Sequence, residues 1–142
     1  MEKIVSSVLS ELYKPAPYSH KGQNGILCVI SGSEKYHGAP LLAIKAASRF
    51  VDLIYFHSPA KLNEKILLSM KSKSNCFITI PQAELFKTME RGDCVLIGNG
   101  LELNVANKRL VNDVLKRFAK TKKIILDAGA LRMADKKLFT KN

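Results

Sequence analysis

The residues best suited to bind a ligand lie in a glycine-bearing loop, residues 31–40, between an apolar run and a helical pattern. Backbone amides in the first turn of a helix bind anions such as phosphate, because they have no acceptor within the helix. Pro40 suits the first helical position, which makes Ala39 the N-cap, and alanine has no side-chain oxygen to cap these amides. Gly38 allows close approach to the backbone. The loop predicts an anion site or, alternatively, a plain turn whose amides meet water; it matches neither the P-loop nor the GxGxxG fingerprint.

Two further loops follow apolar runs in the same way. Gly98-Asn99-Gly100 supplies flexible backbone and free amides, although glycines after strands more often form turns than sites. Asp127 also follows an apolar run and could either contact a ligand or cap the segment after it. Ligands of open α/β sheets bind beyond the carboxyl ends of the strands. If all three loops lie at that end, they form one crevice.

Proton-transfer and metal chemistry have no convincing candidates in this sequence. The histidines stand at no telling distance from a carboxylate or nucleophile, and no Ser-His-Asp set or HExxH helix occurs. The cysteines lie within or at the start of apolar runs without metal-ligand spacing, as expected of buried reduced thiols. These residues are His20, His37, His57, Cys28, Cys76 and Cys94. We therefore predict no catalytic residue and no metal site in this chain.

The loops are positioned by an alternating series of short apolar runs and helical patterns. The runs are nearly continuous in apolar residues, which is typical of parallel strands covered on both faces. Strands are predicted over residues 26–30, 53–57, 76–80, 94–97 and 123–126, and helices over 4–13, 40–51, 61–71, 82–90 and 104–120. The series predicts a single α/β domain over residues 1–142, with a mainly parallel sheet of about five strands and helices on both faces. A basic tail is expected after residue 131.

Composition limits the class of protein. The chain has 142 residues, 46% of them hydrophobic, and a net charge of +11. No apolar run is long enough to span a membrane, and the first residues lack the apolar stretch of a signal peptide, so a cytoplasmic protein is expected. The basic residues are dispersed and have no interleaved aromatic residues. A solvated basic surface is favoured, with nucleic-acid binding as the alternative.

The order of the motifs carries more information than any one of them. His20-Lys-Gly-x-x-Gly25, Ser31-Gly-Ser33 and Tyr36-x-Gly-Ala-Pro40 are followed by Ile97-Gly-Asn-Gly-Leu101 and Ile125-Leu-Asp-Ala-Gly-Ala-Leu131. This series resembles the ADP/ATP-dependent NAD(P)H-hydrate dehydratases, lyases with a ribokinase-like, carbohydrate-kinase-related fold. The similarity covers about residues 20–131.

The resemblance implies metabolite repair. NADH or NADPH hydrated at the nicotinamide ring is phosphorylated on its new hydroxyl by ADP or ATP, and loss of phosphate then restores the double bond. The Gly-Ala-Pro helix start and the glycine loop line the hydrate's site in the family. Together with the loops above, this predicts substrate binding by Ser33, Tyr36, Gly38, Ala39, Pro40, Gly98, Gly100 and Asp127.

The chain differs from the family pattern in three places. Asn99 stands where the family usually has proline, Glu102 where it has glycine, and Phe50-Val-Asp52 where a glycine-rich turn is usual. The family's Pro-His-Pro-Gly-Glu segment and its Gly-Thr-Gly-Asp loop, with the catalytic aspartate, do not occur among these residues.

The resemblance thus implies the N-terminal, substrate-side half of an incomplete ribokinase-like fold, inactive alone. The ADP or ATP site is expected on a missing half: either the chain is a fragment, or a second polypeptide supplies the rest of the sheet. A homo-oligomer is the alternative to a second polypeptide, and Mg²⁺ is left open as companion of the nucleotide. The remaining alternatives are a catalytically inactive nucleotide-binding or regulatory module and a basic RNA-binding protein.

Overall fold

A five-stranded parallel sheet forms the centre of the molecule. The computed structural model describes residues 13–69 and 77–138. The strands are β1 (Ile26–Ile30), β2 (Leu53–His57), β3 (Phe77–Thr79), β4 (Cys94–Ile97) and β5 (Lys123–Leu126). Their order across the sheet is β3-β2-β1-β4-β5, and each neighbouring pair is parallel. The predicted α/β fold is therefore confirmed. The strand predicted over 76–80 is shorter than expected, and its first residue lies outside the described residues.

Five helices connect or follow the strands. They are α1 (Gly38–Ala47), α2 (Lys61–Ser69), α3 (Leu85–Met89), α4 (Val105–Phe118) and α5 (Gly129–Met133). A 3₁₀ turn, Gln82–Glu84, precedes α3, and another, Lys136–Leu138, follows α5 where only a tail was expected. The prediction for α1 was wrong at both ends: the helix begins at Gly38 and stops at Ala47, after which turn hydrogen bonds continue to residue 51. The helix predicted over 4–13 lies outside the described residues, apart from Tyr13, which is not helical.

The two faces of the sheet bury separate apolar clusters. Cys28 and Ile30 of β1 point to one cluster, which α3, α4 and α5 cover, whereas Val29 points to the other, which α1 and α2 cover. Side chains of successive strand residues alternate between faces, so a strand buried on both sides must be apolar throughout. This explains why the runs seen in the sequence were continuous rather than alternating.

β5 forms one edge of the sheet in the described part of the chain, where β4 is its only partner. Ile124 and Leu126 pack against the cluster beneath α4, but Ile125 faces the other side and is 52% exposed. Ile125 is paired in register with Leu96 of β4, which packs against the cluster covered by α1 and α2, but Ile125 is not itself part of that cluster. An unpaired edge with a half-exposed isoleucine is a surface to which further protein structure can add.

The segment before β1 is held by Asp52. Its carboxylate accepts hydrogen bonds from the amide of Asn24 at 3.0 Å, from the Asn24 side chain at 2.9 Å and from the amide of Gly22 at 3.1 Å. The Asn24 amide, with these other donors, holds the pKa of the Asp52 carboxyl below its usual value. Asp52 thus closes this region with charge-assisted hydrogen bonds.

Candidate functional site

The loops after β1, β4 and β5 meet at the carboxyl end of the sheet. The carbonyl of Asn99 accepts hydrogen bonds from the Ser31 hydroxyl at 2.6 Å and from the Gly32 amide at 3.0 Å. The Asp127 amide donates to the carbonyl of Ile97 at 3.0 Å, which joins the third loop to the second. The crevice expected from three separate loops is thus formed.

These loops enclose a cavity of about 1020 Å³, which we call the main cavity. Its size is at the upper end of the range of small-molecule sites. The residues around it are Lys35, Tyr36, His37, Gly38, Ala39, Leu42, Gly100, Leu101, Glu102, Leu103, Ala128, Gly129 and Arg132. The lining includes two cationic side chains, Lys35 and Arg132, and one carboxylate, Glu102. This excess of positive charge favours an anionic ligand.

Four of the eight residues predicted to bind substrate line the main cavity, namely Tyr36, Gly38, Ala39 and Gly100. Tyr36 is 48% exposed, and the Lys35 ammonium lies 5.6 Å from the centre of its ring. The other four lie behind or beside the wall. Ser33, Pro40 and Gly98 are buried, and Asp127 is exposed but does not line the cavity.

The start of α1 differs from the predicted capping arrangement, but the first amides of the helix are still uncapped. His37 is the N-cap, and Pro40 is the third helical residue, not the first. His37 makes no side-chain capping bond, and within the described residues the amides of Gly38 and Ala39 have no hydrogen-bond acceptor. Two free amides therefore lie in the wall of the main cavity, at the positive end of a ten-residue helix.

Buried polar side chains hold the first loop in place. The Ser33 hydroxyl accepts a hydrogen bond from the Tyr36 amide at 3.1 Å. Asn63 of α2 is 1% exposed and donates to the Ser33 carbonyl at 3.0 Å and to the Ser58 hydroxyl at 2.9 Å. Its side-chain oxygen lies 2.9 Å from Nδ1 of His37, which fixes the imidazole away from the helix amides. The sequence analysis did not identify Asn63; a polar residue among the apolar positions of a helix was the available signal.

Gly100 is required by the close approach of two loops. Its φ is +76°, and a Cβ there would lie 3.0 Å from the Ala39 Cβ and 3.2 Å from the Cα of Gly32. Gly98 has a φ of +123°, and a Cβ would overlap the Asp127 carbonyl. Both glycines thus serve loop packing, whether or not they contact a ligand.

Asn99 links the glycine loop to α1. Its side-chain amide donates to the Ala39 carbonyl at 3.3 Å, a bond that proline could not make. Its Oδ1 is buried and has no hydrogen-bond partner among the described residues. The replacement of the family's usual proline therefore adds a direct tie between the second loop and the helix start.

Ala128 takes a strained backbone conformation in the cavity wall. Its φ of 43° and ψ of −111° lie outside the regions that alanine normally adopts. Such strain is common where a loop is shaped for binding. The Asp127 carboxylate beside it does not cap α5, so the capping alternative for this residue was wrong.

Neither metal nor membrane features are found in the described residues. No group of three or more His, Cys, Asp and Glu side chains is arranged there to hold a metal ion. Within residues 13–69 and 77–138, no helix is both long and apolar enough to cross a membrane.

Solved structures with the same arrangement define the class of fold. A ribokinase-like superfamily protein from Enterococcus faecalis superposes with a TM-score of 0.79 and 22% identity, over 92% of this chain and 46% of that one. The ADP/ATP-dependent NAD(P)H-hydrate dehydratase from Bacillus subtilis, co-crystallised with ATP and Mg²⁺, gives a TM-score of 0.67 and 22% identity, over 89% and 45%. The fold is ribokinase-like.

Sequence comparison identifies the family. The family model described as NAD(P)H-hydrate dehydratase matches residues 27–142, and the chain belongs to this family. The ADP-dependent (S)-NAD(P)H-hydrate dehydratase of Nitrosopumilus maritimus is 36% identical over 129 residues, covering 80% of this chain and 42% of the relative. The bifunctional NAD(P)H-hydrate repair enzyme of Methanocaldococcus jannaschii is 31% identical over 131 residues, covering 89% and 26%. The chain thus spans about a quarter to a half of the length of these relatives.

Proposed function

We propose that this chain is the substrate-binding half of an ADP/ATP-dependent NAD(P)H-hydrate dehydratase and that a second polypeptide completes its active site. The free amides of Gly38 and Ala39 in the wall of the main cavity carry the proposal. They are oriented to bind the pyrophosphate of a hydrated dinucleotide. The free amides favour an anion site over the plain turn that the loop sequence left as the alternative.

The remaining predicted residues have defined tasks in this proposal. Tyr36, half exposed in the cavity wall, offers an aromatic surface to a ring of the substrate, and Gly100 lets the second loop approach α1. Ser33, Pro40 and Gly98 act from behind the wall by holding the loops. Asp127 is exposed at the end of β5, and its carboxylate is available to a substrate that extends beyond the cavity.

The chemistry requires groups that the described residues do not supply. Phosphoryl transfer from ADP or ATP to the hydrate's hydroxyl, followed by loss of phosphate and a ring proton, needs a nucleotide site and a base. The main cavity has one imidazole, that of His37, which is tied to Asn63, and one carboxylate, that of the exposed Glu102. We therefore assign the ADP or ATP site, any accompanying Mg²⁺ and the catalytic aspartate to the second polypeptide.

The edge of the sheet is the proposed junction between the two halves. β5 has an unpaired edge in the described residues, and Ile125 is half exposed beside the apolar cluster that α1 and α2 cover. The solved relatives are about twice as long as the part that superposes. A partner strand beside β5 would extend the sheet and bury Ile125.

Ligand-dependent thermal unfolding tests the substrate-binding part of the proposal. NADPH, as a surrogate for its hydrate, at about 100 times its dissociation constant should stabilise the chain by about 2.7 kcal/mol, a rise in midpoint of roughly 6–10 °C. ADP alone should produce no shift, because its site lies on the other half. A shift with ADP and none with NADPH would contradict the assignment of halves.

Reconstitution tests the second polypeptide. The chain is mixed with the remaining part of the Nitrosopumilus maritimus relative, and recovery of the reduced-nicotinamide absorbance is followed with NADPH hydrate and ADP. We expect no turnover with either part alone and turnover with both. Turnover by this chain alone would refute the need for a partner.

Nucleic-acid binding is the second candidate, and a local concentration of charge favours it. Residues 104–138 contain ten Lys and Arg and three Asp, a net +7 of the chain's +11. Binding of a short RNA would weaken steeply with salt, because counterion release dominates such contacts. The thermal unfolding experiment therefore includes an RNA sample at two salt concentrations, where an RNA-only shift at low salt supports this second candidate.

A further inference from the structure

Arg132 of α5 connects the main cavity to a second depression. A narrower groove of about 360 Å³, which we call the side groove, lies between the start of α4 and α5. Arg132 and Leu103 line both the main cavity and the side groove, so the two spaces adjoin. The residues of the side groove are Leu103, Asn104, Val105, Lys108, Arg132 and Met133. A ligand that fills the main cavity can therefore extend past Leu103 into the side groove.

The side groove combines unpaired positive charge with exposed apolar surface. The ammonium of Lys108 and the guanidinium of Arg132 have no ion-pair or hydrogen-bond partner among the described residues. Leu103 is 49% exposed and Val105 is 68% exposed. By contrast, the Lys122 ammonium is hydrogen-bonded to the backbone carbonyls of Glu90 and Gly92. Two free cations beside an apolar surface suit a phosphorylated nucleoside, with the phosphate on the cations and the base on the apolar side chains.

The main cavity and the side groove differ in their acidic side chains. Glu102 lines the main cavity but not the side groove, whose six lining residues include no carboxylate. Asp113 and Asp135 line an adjoining depression that Lys108 and Arg132 also border. A carboxylate near the ribose 2′-hydroxyl favours NAD, whereas an arginine accommodates the 2′-phosphate of NADP. The side groove is lined by an arginine, as expected of a site for the 2′-phosphate of NADP.

On the basis of the proposed function, we propose that the side groove binds the adenosine 2′-phosphate of NADPH hydrate. This chain would therefore prefer the hydrate of NADPH to that of NADH. The pyrophosphate lies on the amides of Gly38 and Ala39, and the adenosine passes Leu103 to reach Lys108 and Arg132. Arg132 binds the phosphate through paired N–H donors and Lys108 as a point charge. The hydrated nicotinamide stays in the main cavity.

The test compares the binding of NADPH and NADH to the 142-residue chain and three single variants, by titration calorimetry at fixed ionic strength. Arg132→Gln and Lys108→Gln each remove one charge of the side groove. Lys116→Gln removes one charge from the same helix as Lys108, but Lys116 does not line the side groove. All three residues are exposed, and equal unfolding midpoints will verify that the variants fold. Adenosine 2′,5′-bisphosphate is included as a competitor that carries the proposed phosphate without the nicotinamide.

We expect the unsubstituted chain to bind NADPH at least tenfold more tightly than NADH. Arg132→Gln and Lys108→Gln should each weaken NADPH binding by about 10- to 100-fold, because a hydrogen bond to a charged group is lost. Lys108→Gln should leave NADH binding within about twofold, whereas Arg132→Gln, whose side chain also lines the main cavity, should weaken NADH binding less than NADPH binding. Lys116→Gln should leave both affinities unchanged, and adenosine 2′,5′-bisphosphate should displace NADPH better than AMP does.

Two outcomes overturn the inference while the proposed function stands: equal affinity for the two dinucleotides, or a preference for NADPH that survives both side-groove substitutions. A uniform loss in all three variants also overturns it, because the cations would then act through net charge alone. Failure of the unsubstituted chain to bind either dinucleotide contradicts the proposed function itself.

Discussion

A carboxylate introduced at Gly38 should increase the stability of the fold and weaken the binding of NADPH. Gly38 is the first residue of α1, its amide is free, and a Cβ built there has no other atom within 4 Å. Glutamate at this position favours the positive end of the helix, so Gly38→Glu should stabilise the fold by about 0.3–1 kcal/mol, with a further contribution from removing glycine. The same carboxylate occupies the place proposed for a substrate phosphate.

The expected loss of binding follows from Coulomb's law. Two unit charges about 6 Å apart, in a partly exposed cavity with an effective dielectric constant of about 40, repel by roughly 1.4 kcal/mol, which is about tenfold in affinity. The two negative charges of a pyrophosphate increase this effect, so we expect NADPH to bind about 10- to 50-fold more weakly. The loss should shrink as salt is raised, because an exposed interaction of this length is screened.

The assay is titration of NADPH into Gly38→Glu and into the neutral control Gly38→Gln, combined with chemical unfolding of both. Gly38→Gln has the same size and keeps the backbone amide, so its affinity should remain within about threefold of the unsubstituted chain. If Gly38→Glu and Gly38→Gln bind NADPH equally well, the helix start is not the phosphate site and the reasoning from the free amides fails.

Four further predictions concern stability, reactivity and assembly. Because the pKa of Asp52 is lowered, its stabilisation is present above about pH 4 and is lost as pH falls through the lowered value; the difference in unfolding free energy between the chain and Asp52→Asn should therefore shrink as pH is lowered below about 4, and a difference independent of pH would contradict this. Burial raises the pKa of the Cys28 thiol to about 12, so mass spectrometry after alkylation of the native chain at pH 8 should find Cys28 unmodified, and rapid labelling would argue against its burial. Ala128→Gly should raise the unfolding free energy by about 1 kcal/mol through relief of backbone strain, whereas a loss of stability would show that Ala128 is not strained. Ile125→Lys should change the stability of the chain by less than about 0.5 kcal/mol but abolish reconstituted turnover, and full turnover would place the junction elsewhere.

The strands were predictable because each is short, apolar and bounded by glycine, proline or charged residues. β1, β2, β4 and β5 begin and end where the apolar runs do. The start of α1 was less predictable for a physical reason. None of the first residues of a helix donates its amide within the helix, so Pro40 is compatible with the first or the third position. The sequence favoured the first, and the fold selected the third.

The candidate site was only partly accessible from sequence. Tyr36, Gly38, Ala39 and Gly100 belong to recognisable loops, and they line the main cavity. Arg132 lies on a short helix after β5, and its position beside the cavity depends on the packing of α5 against α4. Asn63 reaches the first loop from a helix 30 residues further along the chain. No local pattern assigns either residue to the site, because the contact that gives each its role is made between distant segments.

By itself the sequence determined the α/β class, the parallel strands and the three loops at their carboxyl ends, since these depend on local periodicity and turn residues. The motif order also indicated the family that the comparisons established. Only the tertiary structure decided which loop residues face the main cavity, which are buried behind it, and that Arg132 and Lys108 border a common groove. Those properties depend on how sheet and helices pack, and side chains far apart in the chain become neighbours only when the core between them is formed.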